Sequence, residues 1–172
     1  LNTAYFAGIS GLGNEAVNVN SGTASTSQTN NLSAATQGVV TATISDGDMA
    51  TLSELNEIGN AYSITITDNS VDAAALNTLD SKTTVTINAS NITTLTGSSA
   101  DLNTAYSSSG ISGLGNEAIT LADTSLAVSV LNALDANTSG AINASSINTL
   151  TGSAADLNTA YSSSGISGLG NV

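Results

Sequence analysis

The sequence predicts an α/β solenoid, a right-handed stack of strand–helix units with one parallel sheet. Three observations predict it. The string "LNTAYSSSGISGLGN" occurs at 102–116, again at 157–171, and nearly again at 1–14. Inside the period that separates the two full copies runs a shorter one: a strand-like alternation, a turn residue, then an apolar residue. Its second strand position falls at Val19, Ile44, Ile66, Ile87, Leu121 and Ile142. Between these strands stand segments with apolar residues at helical spacing. Strands joined through helices pair in parallel by right-handed crossovers. One such unit cannot bury its apolar face alone, whereas stacked units can.

Residues 1–61 hold degenerate units. There "VNVNSGTA" and "ATISDGDM" predict strands with their turns, and "DMATLSELNEIGN" predicts a helix that stops at Gly59. Residues 62–116 form a first complete super-repeat. Its strands are "ITITDNSV" and "VTINASNI". Its helices are "SVDAAALNTLDS", with Val71, Ala75, Leu76 and Leu79 on one face, and "SSADLNTAYSSSG", ending near Gly110. Residues 117–172 repeat the pattern with "ITLADTSL", "SLAVSVLNALDA" (Leu126, Val130, Leu131 and Leu134 on one face), "GAINASSI" and "SAADLNTAYSSSG", ending near Gly165. Asp68, Asn69, Asp123 and Thr124 stand where helix N-caps belong, with side-chain oxygens ready to accept from free N–H groups. Tyr5, Tyr106 and Tyr161 are equivalent, each closing the same helix.

The steps between successive strand positions are 25, 22, 21, 34 and 21, so each 55-residue super-repeat combines a short and a long coil. The long step, from Ile87 to Leu121, accommodates "SSSGISGLGNE", which predicts an inserted loop. Gly110, Gly113 and Gly115 supply cheap positive φ in the first copy, and Gly165, Gly168 and Gly170 in the second. Ile111, Leu114, Ile166 and Leu169 alternate with these glycines and pin the loop to the edge of the stack. The loop is either a plain connection between two coil types or a contact surface for neighbouring chains or ligands, because per-repeat insertions collect on one face.

Composition narrows the function. Of 172 residues, 40% are hydrophobic but only 3% aromatic, so the core is built of Leu, Ile, Val and Ala. Charged residues are 8%, against about 25% in an average domain. The net charge is −12 and Lys82 is the only cationic side chain. Nucleic acid and anionic lipid both need Lys and Arg, and neither is an expected partner. Such a surface repels itself in dilute buffer and suits a saline, cation-rich medium, where the screening length falls to a few ångströms. There is no Cys, hence no disulfide and no thiolate metal site. No apolar run reaches membrane-spanning length, and no signal peptide is visible; any targeting segment is expected outside this stretch.

No catalytic constellation is legible, and the chain is not expected to be an enzyme. Without His, a Ser-His-Asp triad is impossible. "GISGLGN" lacks the following helix start and the Lys of a phosphate-binding loop. Calcium is the one candidate cofactor. "SDGDMATLSE" places Asp46, Asp48 and Glu54 near a glycine turn, like the start of an oxygen-ligand loop, although Ala50 stands at the fifth position. Asp68, Asp80, Asp101, Asp123, Asp135 and Asp156 recur at fixed places, either as helix caps and solubilising groups or as calcium ligands. The Thr of strands such as "TATIS" is similar to that of flat ice-binding arrays, but the residues alternating with it form the core, so outward Thr follows from ordinary strand propensity and ice binding is not expected.

The unit is similar in architecture to leucine-rich repeats: four of the five steps lie in their range. Asn fills their asparagine position only at Asn69, so a continuous asparagine ladder is not expected. In wording, "VLNALDANTSGAINASSINTLTGSAADLNTAYSSSGISGLGN" and "LNTLDSKTTVTINASNITTLTGSSADLNTAYSSSGISGLGNEAITL" resemble the tandem repeats of giant cell-surface proteins of marine cyanobacteria of the Synechococcus type. The resemblance covers roughly residues 62–172. It implies an extracellular, cell-surface, non-enzymatic segment of a surface layer or filament, in a setting of motility or adhesion. Apart from that resemblance, stacked units with uncovered apolar faces are expected to contact copies of themselves, end to end or laterally, and a glycan or surface partner is a further expectation. An adhesin-like binding module and a calcium-dependent surface-layer repeat are the alternatives.

Overall fold

Branched apolar residues alternating with Thr, Ser and Asn make short strands, and Leu–Ala–Asn stretches between them make helices. The computed structural model describes residues 13–170. The N-terminal part holds β1 (Val17–Asn18), α1 (Thr26–Ala35), β2 (Val40–Thr43), α2 (Met49–Leu52) and β3 (Ala61–Ser63). The middle holds β4 (Ser70–Asp72), α3 (Ala73–Asp80), β5 (Ile87–Asn88), β6 (Thr94–Gly97), α4 (Ser99–Ser107) and β7 (Ile111–Ser112). The last part holds β8 (Ala118–Leu121), β9 (Ser125–Ala127), α5 (Val128–Asn137), β10 (Ile142–Asn143), β11 (Thr149–Thr151), α6 (Ala154–Ser162) and β12 (Ile166–Ser167).

Every strand pair is parallel. Among the described residues the strands fall into four sheets, not the one expected: β1-β2-β3, β12-β10-β8-β6-β4, β11-β9 and β5-β7. The division has a local cause. Turn residues interrupt each alternation, so a helix is preceded by more than one strand segment, and each segment finds its own partner. In the largest sheet Val71 faces Leu95, Leu95 faces Ile119, Ile119 faces Ile142, and Ile142 faces Ile166. The step along the chain is nearly constant through this series. It is visibly shorter between β2 and β3, where Thr41 lies opposite Ala61.

This register revises the expected strand positions. Ile119, not Leu121, faces Ile142. Ile87 faces Ile111, so the apparent long step disappears: the segment expected as an inserted loop contains a strand that supplies the missing partner.

The core is aliphatic. Ile64, Ile66, Ile87, Ile92, Leu95, Ile119, Leu121 and Ile142 enter it from the strand side, and Leu76, Leu79, Leu102, Leu131 and Leu134 from the helices. Each fully buried Leu or Ile contributes about 1.5–3 kcal/mol relative to exposure. Two details of the expected helical faces change: Val71 and Leu126 lie in β4 and β9, and Ala75 is exposed.

Helix caps are divided between local and distant side chains. Ser25, Asp48, Asp72, Ser98 and Ser153 cap the helices that follow them. Asp68 and Asp123, expected as caps of their own helices, instead serve the helix of the preceding unit. Asp68 Oδ2 accepts from Met49 N at 2.7 Å, and Asp123 Oδ2 from Ser99 N at 2.7 Å. Asp46 Oδ2 does the same for Thr26 N at 2.7 Å. The first N–H groups of a helix have no partner within it, and the positive end of the helix dipole draws a carboxylate from whichever segment passes nearest.

Candidate functional site

The glycine-bearing segments 110–115 and 165–170 were the candidate contact surface, and their geometry is set by backbone pairing. Ile87 N donates to the Gly110 carbonyl (2.8 Å) and Ala89 N to that of Ser112 (2.8 Å). In the second copy Ile142 N and Ala144 N donate to the carbonyls of Gly165 (2.7 Å) and Ser167 (2.8 Å). Ile111 and Leu169 are buried, Leu114 and Ile166 half-buried, and Gly113, Gly168 and Gly170 exposed.

Each segment begins with a clasp. Ser108 Oγ donates to Asp80 Oδ2 at 2.6 Å and accepts from Gly110 N at 3.0 Å. Ser163, Asp135 and Gly165 repeat it at 2.7 and 3.0 Å. Gly110, Gly165 and Gly170 do not take the positive φ expected of them; a side chain at Gly110 or Gly165 would instead run into the Asp carboxylate, which explains those two glycines. Gly113 and Gly168 have φ of +89°, where glycine carries no steric penalty.

The first segment ends on a residue that the sequence reading missed. Glu117 is fully buried. Its carboxylate accepts from Gly115 N at 2.8 and 3.0 Å and from the Tyr106 hydroxyl at 2.9 Å. Its carbonyl accepts from Thr138 Oγ1 at 2.7 Å. Burial, then the adjacent Glu117 charge and hydrogen bond, push the Tyr106 hydroxyl well above the usual phenol range. The signal was present in the alternation: Glu117 shares the inward face with Ile119 and Leu121. Tyr106 thus joins the segment to α4, as its place at the end of that helix allows, while Tyr5 lies outside the described residues.

The calcium candidates are not brought together. Asp46 is held by the first N–H of α1, and Asp48 accepts from Thr51 N (2.9 Å) and Thr51 Oγ1 (2.8 Å) at the start of α2. Those bonds hold the Asp48 carboxyl below its ordinary range. Glu54 is exposed. Among the described residues no group of three His, Cys, Asp or Glu could hold a metal ion. The correction has a simple cause: Asp46 and Asp48 are drawn to the N-termini of different helices, while Glu54 stays in solvent, which separates ligands that are neighbours in sequence.

No helix among the described residues is long and apolar enough to cross a membrane. No protein-family model, characterised protein or solved structure matches the chain.

Proposed function

We propose that the chain is a structural tandem-repeat segment of a large extracellular cell-surface or filament-forming protein, with its units stacked as a right-handed solenoid. The observation that carries this reading is the recurring step between units. Backbone partners keep it through the largest sheet, from Val71 to Leu95 to Ile119 to Ile142 to Ile166. Side chains keep it too: Asn30 Nδ2 donates to the Glu54 carbonyl (2.7 Å), Asn77 to that of Asp101 (2.9 Å) and Asn132 to that of Asp156 (3.0 Å), each time the same distance along the chain. A fold held by nearest-neighbour bonds of this kind lengthens by adding units and needs no new long-range design.

Growth by stacking also suits contact with further copies. Leu150, Leu157 and Ile166 are half-buried and Tyr161 is exposed, whereas Leu95, Leu102 and Ile111, counterparts of the first three in the preceding copy, are buried. A neighbouring copy on that side would cover them. The surface setting rests on the resemblance to cyanobacterial surface repeats and on the acidic, cation-poor composition.

The test is small-angle scattering from chains carrying one, two and three copies of the super-repeat. Stacking predicts a maximum dimension rising by about 10 Å per copy, two strand spacings. Growth as the cube root of mass would refute it. Protease treatment of intact cells that produce the chain tests the surface setting: loss of the blotted signal before lysis is expected, and protection until lysis would remove that part of the reading.

A further inference from the structure

The regular units close over themselves, and one does not. Recurring hydrogen bonds align the passage from α1 to β2 with that from α5 to β10. Thr36 Oγ1 donates to the Glu15 carbonyl (2.6 Å) as Thr138 Oγ1 does to that of Glu117 (2.7 Å), and Asn30 and Asn132 make the matching bonds already described. In this alignment Ser33 stands where Asp135 stands. Asp135 clasps Ser163 over Gly165 and fills the space between its units. Ser33 is too short for that reach; its hydroxyl turns back to the Asn30 carbonyl at 3.2 Å. The neighbouring unit is also short, with the reduced step from Thr41 to Ala61 and the one-turn helix α2. A cavity of about 350 Å³ remains between residues 33–39 and 57–60.

Its lining is chemically mixed. Asn60 is only 5% exposed, and its Oδ1 is fixed by Val40 N at 2.8 Å. Among the described residues the Asn60 amide nitrogen has no hydrogen-bond partner, nor have the side chains of Gln37 and Glu57. Beside Ser33 lies the hydroxyl of the buried Tyr62. Val39 and Ile58 flank the opening with exposed aliphatic surface, 47% and 69%.

This combination selects a class of ligand. An anion would meet Glu57 within a chain of net charge −12. A simple cation would meet the amide donors of Gln37 and Asn60. An apolar molecule would strip water from Ser33 and Asn60 without replacing its hydrogen bonds. A ring bearing vicinal hydroxyls on one side and C–H groups on the other satisfies donors, acceptors and aliphatic rim together. We propose that the cavity between residues 33–39 and 57–60 binds a neutral saccharide of one or two rings. This is a binding activity separate from the structural role, and it does not depend on where the protein resides.

The test applies the whole chain to an array of neutral, acidic and basic glycans, with spermidine as a cationic competitor. Retention on neutral glycans, undisturbed by spermidine, is expected. Gln37→Ala combined with Ile58→Ala, both at exposed positions, should weaken binding about tenfold or more, with the melting temperature unchanged. Shifts of the Asn60 and Gln37 side-chain amide resonances on adding the retained glycan give a readout in the unaltered chain. No retention on neutral glycans, displacement by spermidine, unperturbed Asn60 and Gln37 amides, or full binding by the double variant would each overturn the proposal.

Discussion

Replacing Glu117 by Ala removes the carboxylate that ends the glycine-bearing segment and leaves two donors behind it. Gly115 N and the Tyr106 hydroxyl, now 2.8, 3.0 and 2.9 Å from carboxylate oxygens, would lose their acceptor. Each stranded donor costs about 1–3 kcal/mol where water cannot replace the bond. The desolvation of a carboxylate with no cation beside it acts in the opposite sense and offsets part of that loss. We expect Glu117→Ala to destabilise the chain by about 2–4 kcal/mol in urea unfolding followed by far-UV circular dichroism. Glu117→Gln removes the charge while leaving an oxygen for the same donors, and should stay within about 1 kcal/mol. Tyr106→Phe in a double-mutant cycle with Glu117→Ala should report a coupling of about 1–2 kcal/mol. An Ala variant within about 0.5 kcal/mol of the parent, or a coupling near zero, would refute the reasoning. Either result would mean that the segment is held by β5–β7 pairing and not by the buried acid.

Three further perturbations follow from the same geometry. Asp123→Ala removes the 2.7 Å acceptor of Ser99 N across the unit boundary and should cost about 1 kcal/mol in the same assay, with faster amide exchange at Ser99; exchange unchanged at Ser99 would show the cap to be idle. Gly140→Ala drives a methyl into the Glu117 carbonyl, a backbone atom that cannot swing aside, and should cost more than about 2 kcal/mol, whereas Gly170→Ala meets nothing and should be neutral. In base, Tyr62 and Tyr106 both have hydroxyls raised by burial, so the folded state keeps protons that the unfolded state releases. Their stabilising contribution is present in full below about pH 10 and falls as pH rises beyond it. A titration read by tyrosinate absorbance and circular dichroism should therefore show ionisation and unfolding together, and Tyr106→Phe should blunt the loss.

The inward-facing residues were legible because their signals are local. Ile64 and Ile66 alternate with Thr, Leu76 and Leu79 recur at one helical turn, and both sets are buried. The same alternation sets Glu117 on the inward face, where an acidic residue is ordinarily not found. Asp68 and Asp123 were recognised as capping residues and assigned to the wrong helices. A cap is visible as a residue type next to a helix start, while the helix that passes closest in space is not. Asp46, Asp48 and Glu54 misled for the same reason: closeness along the chain is no measure of where carboxylates point once helix termini compete for them.

By itself, then, the sequence determined the repeating unit, its apolar faces and the identity of equivalent positions, Gly110 with Gly165 among them. Each of these depends on interactions within a few residues, or on identical strings meeting identical surroundings. Only the tertiary structure decided the register, the division into four sheets, the caps lent from one unit to the next and the cavity beside Ser33. Those depend on which residue comes opposite when two units meet, Ala61 against Thr41 in the short unit and Leu95 against Val71 in a regular one. A one-turn helix in place of a longer one changes that spacing, and no local preference of the residues around Ser33 or Asn60 records the change.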